Sequence, residues 1–503
     1  RRRDPGRRPP GAPLMLEAYV WPQSVAPGEP FAGRISSDHP TVDVEVAREG
    51  AVREVVHRSP SVAAVRQPAP DHPAADGCGW EDALAIELPG TTRSGYHAVT
   101  VTVGDERADA FVVVRPGAGE RAPILLVLST TTWNAYNDWG GPSLYTGGTQ
   151  VSFERPLARG FLDKPAPSRR KMQPDPDREG LWYFRWAEPL GLSVWSGGSG
   201  WATWERDFVR WAESNGYELD VAISEDLEEH PGVLEGHRLY LSVGHDEYWS
   251  WGMREALDAF TDTGGNAAIL SGNTCFWQVR FDDAHRAMTC FKYRADEDPV
   301  VGTPEERFVT GPWSDRRIAW PETRTIGLTF TRGGYSRYGL GVPRGSGAYT
   351  VWRPEHWAFE GTDLRYGDEI GRADSIVAYE VDGVELTTGP DGLPVPTGAD
   401  GAPDGLEILA TAPARLWTQA EQPSRYAHEP GELENTAMAV FGPGWRDQVH
   451  RVTNNHACIG VFTKPDGGGT VFNAGVTDWT CGLVGGDPDV ERVTRNVLDR
   501  LTR

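Results

Sequence analysis

Two patterns of apolar and polar residues divide this chain at about residue 115. From Leu16 to about Val114, short alternating segments are broken by Gly, Pro and Asp, and no amphipathic helix lies between them. The stretch Tyr96–Val103 is typical, because Val and Thr alternate over its second half. A period of two indicates strands with one buried face. The pattern therefore predicts an Ig-like antiparallel β-sandwich over residues 14–116.

Beyond residue 117 the pattern alternates strands with helices. Ile124–Ser129 is a continuous apolar run of the kind that is buried on both faces of a parallel sheet. In Trp201–Asn215 the apolar residues recur on one helical face, and Gly216 is an expected helix stop. This alternation favours a Rossmann-like, doubly wound parallel sheet, similar to that of glutamine amidotransferases, across residues 117–503. The other predicted strands are Leu219–Ile223, His237–Val243, Ala267–Leu270 and Thr470–Val476, and the other predicted helices are Asp226–Leu234, Met253–Thr261 and Val490–Leu501.

Two stretches depart from these patterns. Between about residues 281 and 465 the periodicity is weaker and Gly, Pro and Asp are common, which predicts a β-rich insertion with loops that cap a pocket. Residues 1–13 combine five arginines with Pro and Gly. We expect them to form a disordered tail.

Charge and cysteine usage exclude several classes of protein. The formal charge is −23 and no basic stripe occurs in the folded region, which argues against a nucleic-acid partner. No run of about 18 apolar residues exists, so the sequence predicts no membrane span. The five cysteines are widely spaced and contain no CxxC. A disulfide framework or zinc site is therefore not expected, and a cytoplasmic location is favoured.

Candidate chemistry follows the predicted strands, because ligands of open α/β sheets bind beyond the carboxyl ends of strands. The segment after His237–Val243 is a strand-to-helix elbow, where related folds carry a nucleophilic Cys or Ser. Here it holds His245, Asp246 and Glu247, so acyl transfer through such a nucleophile is not expected. A His-x-Glu pair can supply a carboxylate metal ligand and an imidazole acid or base. Alternatively, the two acids are favoured by the dipole of a helix first turn and His245 lies near its N-cap.

Other polar residues near the predicted strand ends have equally plain structural alternatives. Tyr136 and Tyr145 lie in a stretch rich in Trp, Asn and Gly, where tyrosines usually serve packing. Asn273 follows the strand Ala267–Leu270, and an asparagine there can simply satisfy backbone groups in a turn. Glu380 lies within a strand-like run, where a solvent-facing edge position is the default.

Three motifs nevertheless resemble one family. Trp133–Asn137 with the following Ser143–Tyr145, Val243–Ser250, and Ser271–Trp277 look like the large subunit of N,N-dimethylformamidase. The resemblance covers about residues 120–503, and a preceding β-sandwich also suits that family. It implies a hydrolase of a small formamide with a mononuclear ferric iron.

The resemblance also implies a role for individual residues. Tyr136, Tyr145 and Glu247 would bind the metal, His245 and Asn273 would line the site, and Glu380 would act as the base. Ferric iron is a hard ion that suits phenolate and carboxylate oxygens. Its charge would also deprotonate a phenol whose free pKa is near ~10.

One departure from the family concerns the second tyrosine. Tyr136 and Tyr145 are only nine positions apart, whereas the family enzyme has a longer insert between them. Tyr183 or Tyr248 could therefore compete with Tyr145 as the second phenolate.

The sequence supports three functional hypotheses. The leading one is an iron-dependent hydrolase of a C–N bond in a small amide, with a small partner subunit or a second copy of the chain as its protein partner. The second is a non-catalytic binding protein for a sugar or another small ligand on the same scaffold. The third is a metal-free hydrolase in which His245 and Glu247 move the protons. Metal content of the isolated protein separates the first from the others.

Overall fold

The computed structural model describes residues 15–117, 119, 121–165, 182–338, 343, 345–421 and 431–503. The predicted tail at residues 1–13 lies outside these ranges, so its disorder stays a prediction. The predicted limits at 14–116 and 117–503 also stay predictions, as does a cytoplasmic location.

The first hundred described residues form two facing sheets. One sheet has the strand order β1-β3-β6 and the other β2-β8-β7-β4-β5, and all pairs are antiparallel except the two-residue strand β2 against β8. Val46, Val99 and Val112 belong to the apolar core that the two sheets share. The strands are β1 Leu16–Trp21, β2 Ser24–Val25, β3 Pro30–Ser37, β4 Thr41–Arg48, β5 Glu54–Ala63, β6 Leu84–Glu87, β7 Gly95–Val103 and β8 Glu106–Val114.

The rest of the described chain is also rich in strands. In chain order they are β9 Ile124–Leu128, β10 Gln150–Ser152, β11 Leu219–Ile223, β12 Leu239–His245, β13 Tyr248–Ser250, β14 Asn266–Gly272, β15 Trp277–Phe281, β16 Ala287–Thr289, β17 Thr329–Tyr335, β18 Tyr349–Val351, β19 Glu369–Ile370, β20 Glu380–Gly383, β21 Leu386–Thr388, β22 Pro394–Pro396, β23 Glu407–Ala414, β24 Asn455–Thr463 and β25 Thr470–Asn473.

The α-helices are short in comparison. They are α1 Pro73–Asp76, α2 Thr130–Tyr136, α3 Trp182–Ala187, α4 Glu205–Ser214, α5 Asp226–Glu229, α6 Trp251–Asp262, α7 Thr323–Ile326, α8 Glu432–Phe441, α9 Trp445–Gln448, α10 Trp479–Gly485 and α11 Pro488–Leu501. None of the helices in the described ranges is long and apolar enough to cross a membrane. The five cysteines are all described and none forms a disulfide.

The central sheet contains nine strands in the order β11-β9-β12-β14-β25-β24-β23-β18-β19. The first five strands are mutually parallel, whereas every pair from β25 to β19 is antiparallel. β9 and β12 are buried along their whole length, as their apolar runs require.

The prediction of a Rossmann-like, doubly wound parallel sheet is wrong. The chain is strand-rich, its central sheet is mixed, and the remaining strands form smaller sheets. One reason is the connection Lys464–Gly469 between β24 and β25. A crossover to a parallel strand needs a dozen or more residues, so this short Pro, Asp and Gly turn can only reverse the chain. The predicted β-rich insertion thus supplies strands to the same sheet.

The parallel half of the sheet still determines where the polar loops meet. β9, β12 and β14 are direct neighbours, so the segments that follow them emerge at one edge. β20 lies against this edge. A Cβ at Gly272, the last residue of β14, would lie 2.5 Å from the backbone nitrogen of Thr477 and 2.6 Å from the carbonyl oxygen of Glu380. The absence of a side chain at Gly272 therefore allows this close approach.

Candidate functional site

The His-x-Glu elbow lies between two strands and not in a helix. His245 ends β12, β13 begins at Tyr248, and helix α6 begins only at Trp251. The hydroxyl of Ser250 caps that helix by accepting a hydrogen bond from the Met253 nitrogen. Asp246 and Glu247 therefore precede the helix first turn, and the helix-dipole alternative does not apply to them.

The short helix α2 holds the elbow in place. All seven of its residues are buried. Threonine is a weak helix former, but here the hydroxyls bind the neighbouring segment. The Thr131 hydroxyl donates to the carbonyl oxygen of Tyr248 at 2.7 Å, and the Thr132 hydroxyl accepts from the Glu247 nitrogen at 2.8 Å. Glu247 is thereby fixed against the helix that ends at Tyr136.

Each carboxylate oxygen of Glu247 has its own donor. The Tyr145 hydroxyl donates to Oε2 at 2.6 Å, and the Trp277 indole donates to Oε1 at 2.8 Å. The Tyr136 ring lies 4.1 Å from the Tyr145 ring, centroid to centroid, and 5.5 Å from that of His245. The structure therefore brings together the three residues that the resemblance assigns to the metal.

His245 connects Glu247 to Glu380. Its Nδ1–H donates to the carbonyl oxygen of Gly198 at 2.7 Å, so Nε2 faces the carboxylates. Nε2 lies 2.6 Å from Oε2 of Glu380 and 3.4 Å from Oε2 of Glu247. Burial lowers the pKa of His245, but the negative charges of Glu380 and Glu247 outweigh it and raise the pKa to about 9.

Glu380 and Asn273 form the other side of this group. Glu380 is only 3% exposed, so the solvent-facing edge position does not apply to it. The Asn273 amide donates to Oε2 of Glu380 at 3.0 Å, while its own Oδ1 has no hydrogen-bond partner among the described residues. Asn273 has a left-handed backbone, φ 49°, which asparagine tolerates better than most residues. It therefore both makes the turn and reaches the site.

The competing tyrosines are placed differently. The hydroxyl of Tyr183 hydrogen-bonds Ser196 at 2.7 Å, a contact outside the carboxylate group. The hydroxyl of Tyr248 accepts a hydrogen bond from the Lys292 ammonium at 3.0 Å, beside Tyr145. Of the three candidates for a second phenolate, Tyr145 is the one with a direct hydrogen bond to Glu247.

Sequence reasoning missed Lys292. Its buried ammonium lies 3.3 Å from the centroid of the Tyr145 ring and 3.6 Å from Oε1 of Glu247. Lys292 falls in the stretch of weak periodicity, and no motif includes it. One signal was present, because the chain has only four lysines among its 49 basic residues.

An aromatic cavity opens beside these residues. Nine of its thirteen lining residues are aromatic, two are Glu380 and Glu432, and none of those described is basic. The cavity offers about 50 Å³ to the centres of water-sized molecules, several times the ~10–15 Å³ that one water requires. It therefore suits a small organic molecule.

The donor set fits a hard cation. Ligand atoms of His245, Glu247 and Glu380 all lie within 4.8 Å of one another, and Nε2 of His245 makes no aligned hydrogen bond. Burial and the charge of Glu247 hold the pKa of Tyr136 and Tyr145 well above that of a free phenol. Both are therefore neutral without a cation, and a trivalent metal would supply the charge that ionises them. The oxygen-rich set suits ferric iron.

Known proteins resemble this chain over most of its length. The family described as N,N-dimethylformamidase beta subunit-like, C-terminal, matches residues 43–492. The N,N-dimethylformamidase beta subunit of an Alcaligenes species is 24% identical over 462 residues, and that of Paracoccus aminophilus is 23% identical over 455 residues. Each alignment covers 85% of this chain and 55% of the relative. The chain thus spans about half the length of the curated relatives it matches.

Proposed function

This chain belongs to the N,N-dimethylformamidase beta subunit-like family, and on that premise we propose that it hydrolyses the C–N bond of a small amide at a mononuclear ferric centre. The observation that carries the proposal is the contact of Tyr145 with Glu247, beside Tyr136 and the His245–Glu380 pair. This is an oxygen-rich group with an acid–base pair next to a small cavity.

Tyr136, Tyr145 and Glu247 would bind the metal. When bound, ferric iron would supply Lewis-acid polarisation of the amide carbonyl. Glu380 lies close enough to the same group to be either the base or a further ligand, because one of its carboxylate oxygens belongs to the cluster of candidate ligand atoms. An imidazole nitrogen 2.6 Å from the carboxylate favours the role of base.

The remaining chemistry is proton movement. Glu380 would accept a proton from the attacking water, with Asn273 and His245 holding the carboxylate in position. Water would add to the carbonyl carbon, the C–N bond would break, and the nitrogen would leave as an amine after Glu380 returns the proton to it. The products are a carboxylic acid and an amine, and no oxidant or reductant is required.

The test is metal content measured together with turnover. Protein purified in the presence of ferric iron should contain about one iron per chain and show a broad visible absorption band from phenolate. It should also release dimethylamine from N,N-dimethylformamide, or the corresponding amine from a related small amide. A colourless, iron-free protein that hydrolyses amides would contradict the iron assignment and favour the metal-free hydrolase. Activity that survives exhaustive chelation would do the same.

A non-catalytic binding protein remains the alternative. The aromatic lining of the cavity is the observation that favours it, since such walls bind small ligands without any chemistry. Protein that binds ligands, contains no stoichiometric iron and hydrolyses no amide would support it.

A partner is part of the proposal, because both relatives are named as beta subunits. We propose that this chain also acts within an assembly, with a smaller chain or with a second copy of itself. The molar mass of the purified protein in solution, with and without co-expressed neighbouring chains, tests this.

A further inference from the structure

On the aromatic side of the cavity, the planes of the rings meet at an angle. The rings of Tyr335 and Tyr338 lie 4.4 and 4.6 Å from that of Trp417, and the planes of Tyr338 and Trp417 differ by only 2°. The Tyr379 ring meets Tyr338 at 4.9 Å with an interplanar angle of 60°. Because two ring planes meet at this angle, a bound group would contact the faces or edges of several rings at once.

A second carboxylate lies in the same lining, and one of its oxygens can accept a further hydrogen bond. Glu432 is the first residue of helix α8 and is 7% exposed. Its Oε1 accepts a hydrogen bond from the Tyr293 hydroxyl, but Oε2 has no hydrogen-bond partner among the described residues. A buried carboxylate oxygen without a partner is costly, so this position is poorly suited to an empty or purely apolar pocket.

The other charged groups near the cavity, Glu380 and Lys292, already have partners. Glu380 has His245 and Asn273 as partners. The Lys292 ammonium lies over the Tyr145 ring and donates to the Tyr248 hydroxyl. Burial raises the pKa of Glu432 to about 7, although the positive charge of Lys292 opposes this. Of the two glutamates that line the cavity, Glu432 is therefore the one whose negative charge is less balanced by neighbouring groups.

We propose that this cavity recognises a cationic group, so that the substrate is a small amide that carries an alkylated ammonium. The alkyl substituents would pack on the rings of Tyr338, Tyr379 and Trp417, and Glu432 would oppose the charge. Aromatic faces attract cations, and alkylated ammonium groups are bound in this way because they cannot donate several hydrogen bonds. A neutral ligand without a hydrogen-bond donor would leave Oε2 of Glu432 without a partner, and an anion would be repelled by both glutamates. The inference names the substrate class and so rests on the proposed function.

The experiment compares two probes of nearly the same shape. Binding of choline and of its neutral isostere 3,3-dimethylbutan-1-ol to the complete chain is measured by calorimetry and by quenching of tryptophan fluorescence. Choline should bind at least ~10-fold more tightly, in line with a desolvated cation–π contact beside a carboxylate. Glu432→Gln keeps the volume and should reduce this preference to less than ~3-fold. Glu297→Gln removes an exposed charge outside the cavity and should leave the preference unchanged.

The outcomes separate this inference from the proposed function. Equal binding of the two probes, or no binding of choline, would overturn the inference, and so would an unchanged preference in Glu432→Gln. Hydrolysis of neutral amides by such a protein would leave the proposed function standing. Selective choline binding by a protein without hydrolytic activity would support the cation site and contradict the proposed hydrolase.

Discussion

Tyr136 and Tyr145 line one side of the cavity, and the elbow after β12 packs behind them; together they are called the first wall here. The second wall comes from β17, the residues before β20 and the segment after β23. On the first wall, both oxygens of Glu247 accept hydrogen bonds, and the Nδ1–H of His245 donates to a carbonyl oxygen. On the second wall, Tyr335, Tyr338 and Trp417 contact one another through ring stacking. The Trp417 indole N–H has no partner there among the described residues.

This difference separates chemistry from recognition. Hydrogen bonds are directional, so the first wall fixes individual atoms of Glu247 and His245 at defined positions. Ring stacking tolerates small shifts and acts through area and charge distribution. We therefore expect substitutions on the first wall to change metal binding and turnover, and substitutions on the second wall to change which ligand binds.

The largest effect on iron binding and turnover should follow Glu247→Ala. This change removes a proposed ligand and leaves Tyr145 and Trp277 without their acceptor. Metal affinity should fall by more than the ~10–100-fold that is typical when a residue only supports a ligand, and turnover should be lost with it. Iron per chain is measured by elemental analysis after gel filtration.

The matched control is Glu255→Ala on the exposed surface of α6, which should retain full iron. Normal iron content in Glu247→Ala would remove Glu247 from the ligand set and would contradict the role of this wall.

The next effect concerns Glu380, which belongs to both the acid–base pair and the cluster of candidate ligand atoms. If it acts as the base, Glu380→Gln should reduce kcat by at least ~10²-fold, the usual loss for a general base, while iron content stays normal. Both are measured on the same preparation. Loss of iron would assign Glu380 to the ligands, and unchanged kcat on a true substrate would exclude the role of base.

A specific effect on the visible absorption band should follow the loss of a phenol. Tyr136→Phe and Tyr145→Phe should each weaken or shift the visible band, because each removes one proposed phenolate. Tyr183→Phe is the control, since the Tyr183 hydroxyl binds Ser196 and not Glu247. Absorption spectra of the iron-loaded variants provide the measurement. A band that is indifferent to Tyr145→Phe would direct attention to Tyr248.

The first wall could be predicted from the sequence to a large extent. Its residues lie in short motifs directly after apolar strands, and neighbouring parallel strands end at one edge. Tyr136, Tyr145, His245, Glu247 and Asn273 can therefore be named from the sequence, although their roles stay predictions. The family resemblance that supported them is confirmed.

The second wall could not be predicted in the same way. Tyr335, Trp417 and Glu432 come from the stretch in which periodicity is weak, and they line the cavity together although they are distant in sequence. Lys292, which contacts Tyr145 and Glu247 of the first wall, comes from the same stretch. The error in the fold has the same origin. β24 joins the central sheet through a local hairpin with β25, and the turn at Lys464–Gly469 is the signal of that reversal of direction. β23 then pairs with β24 from a distant part of the sequence, for which no local pattern exists.

The smallest expected effect tests the second wall directly. Trp417→Phe keeps an aromatic ring but removes part of the surface on which Tyr335 and Tyr338 stack. An aromatic pair contributes about 0.5–1.5 kcal/mol beyond its buried area, so KM should rise about 2- to 10-fold. The value of kcat and the iron content should stay within about twofold of the original protein, because no hydrogen bond of Glu247 or His245 involves Trp417. Steady-state kinetics on one amide substrate give both parameters. A fall in kcat at constant KM would show that the two walls act together and would remove the distinction between chemistry and recognition.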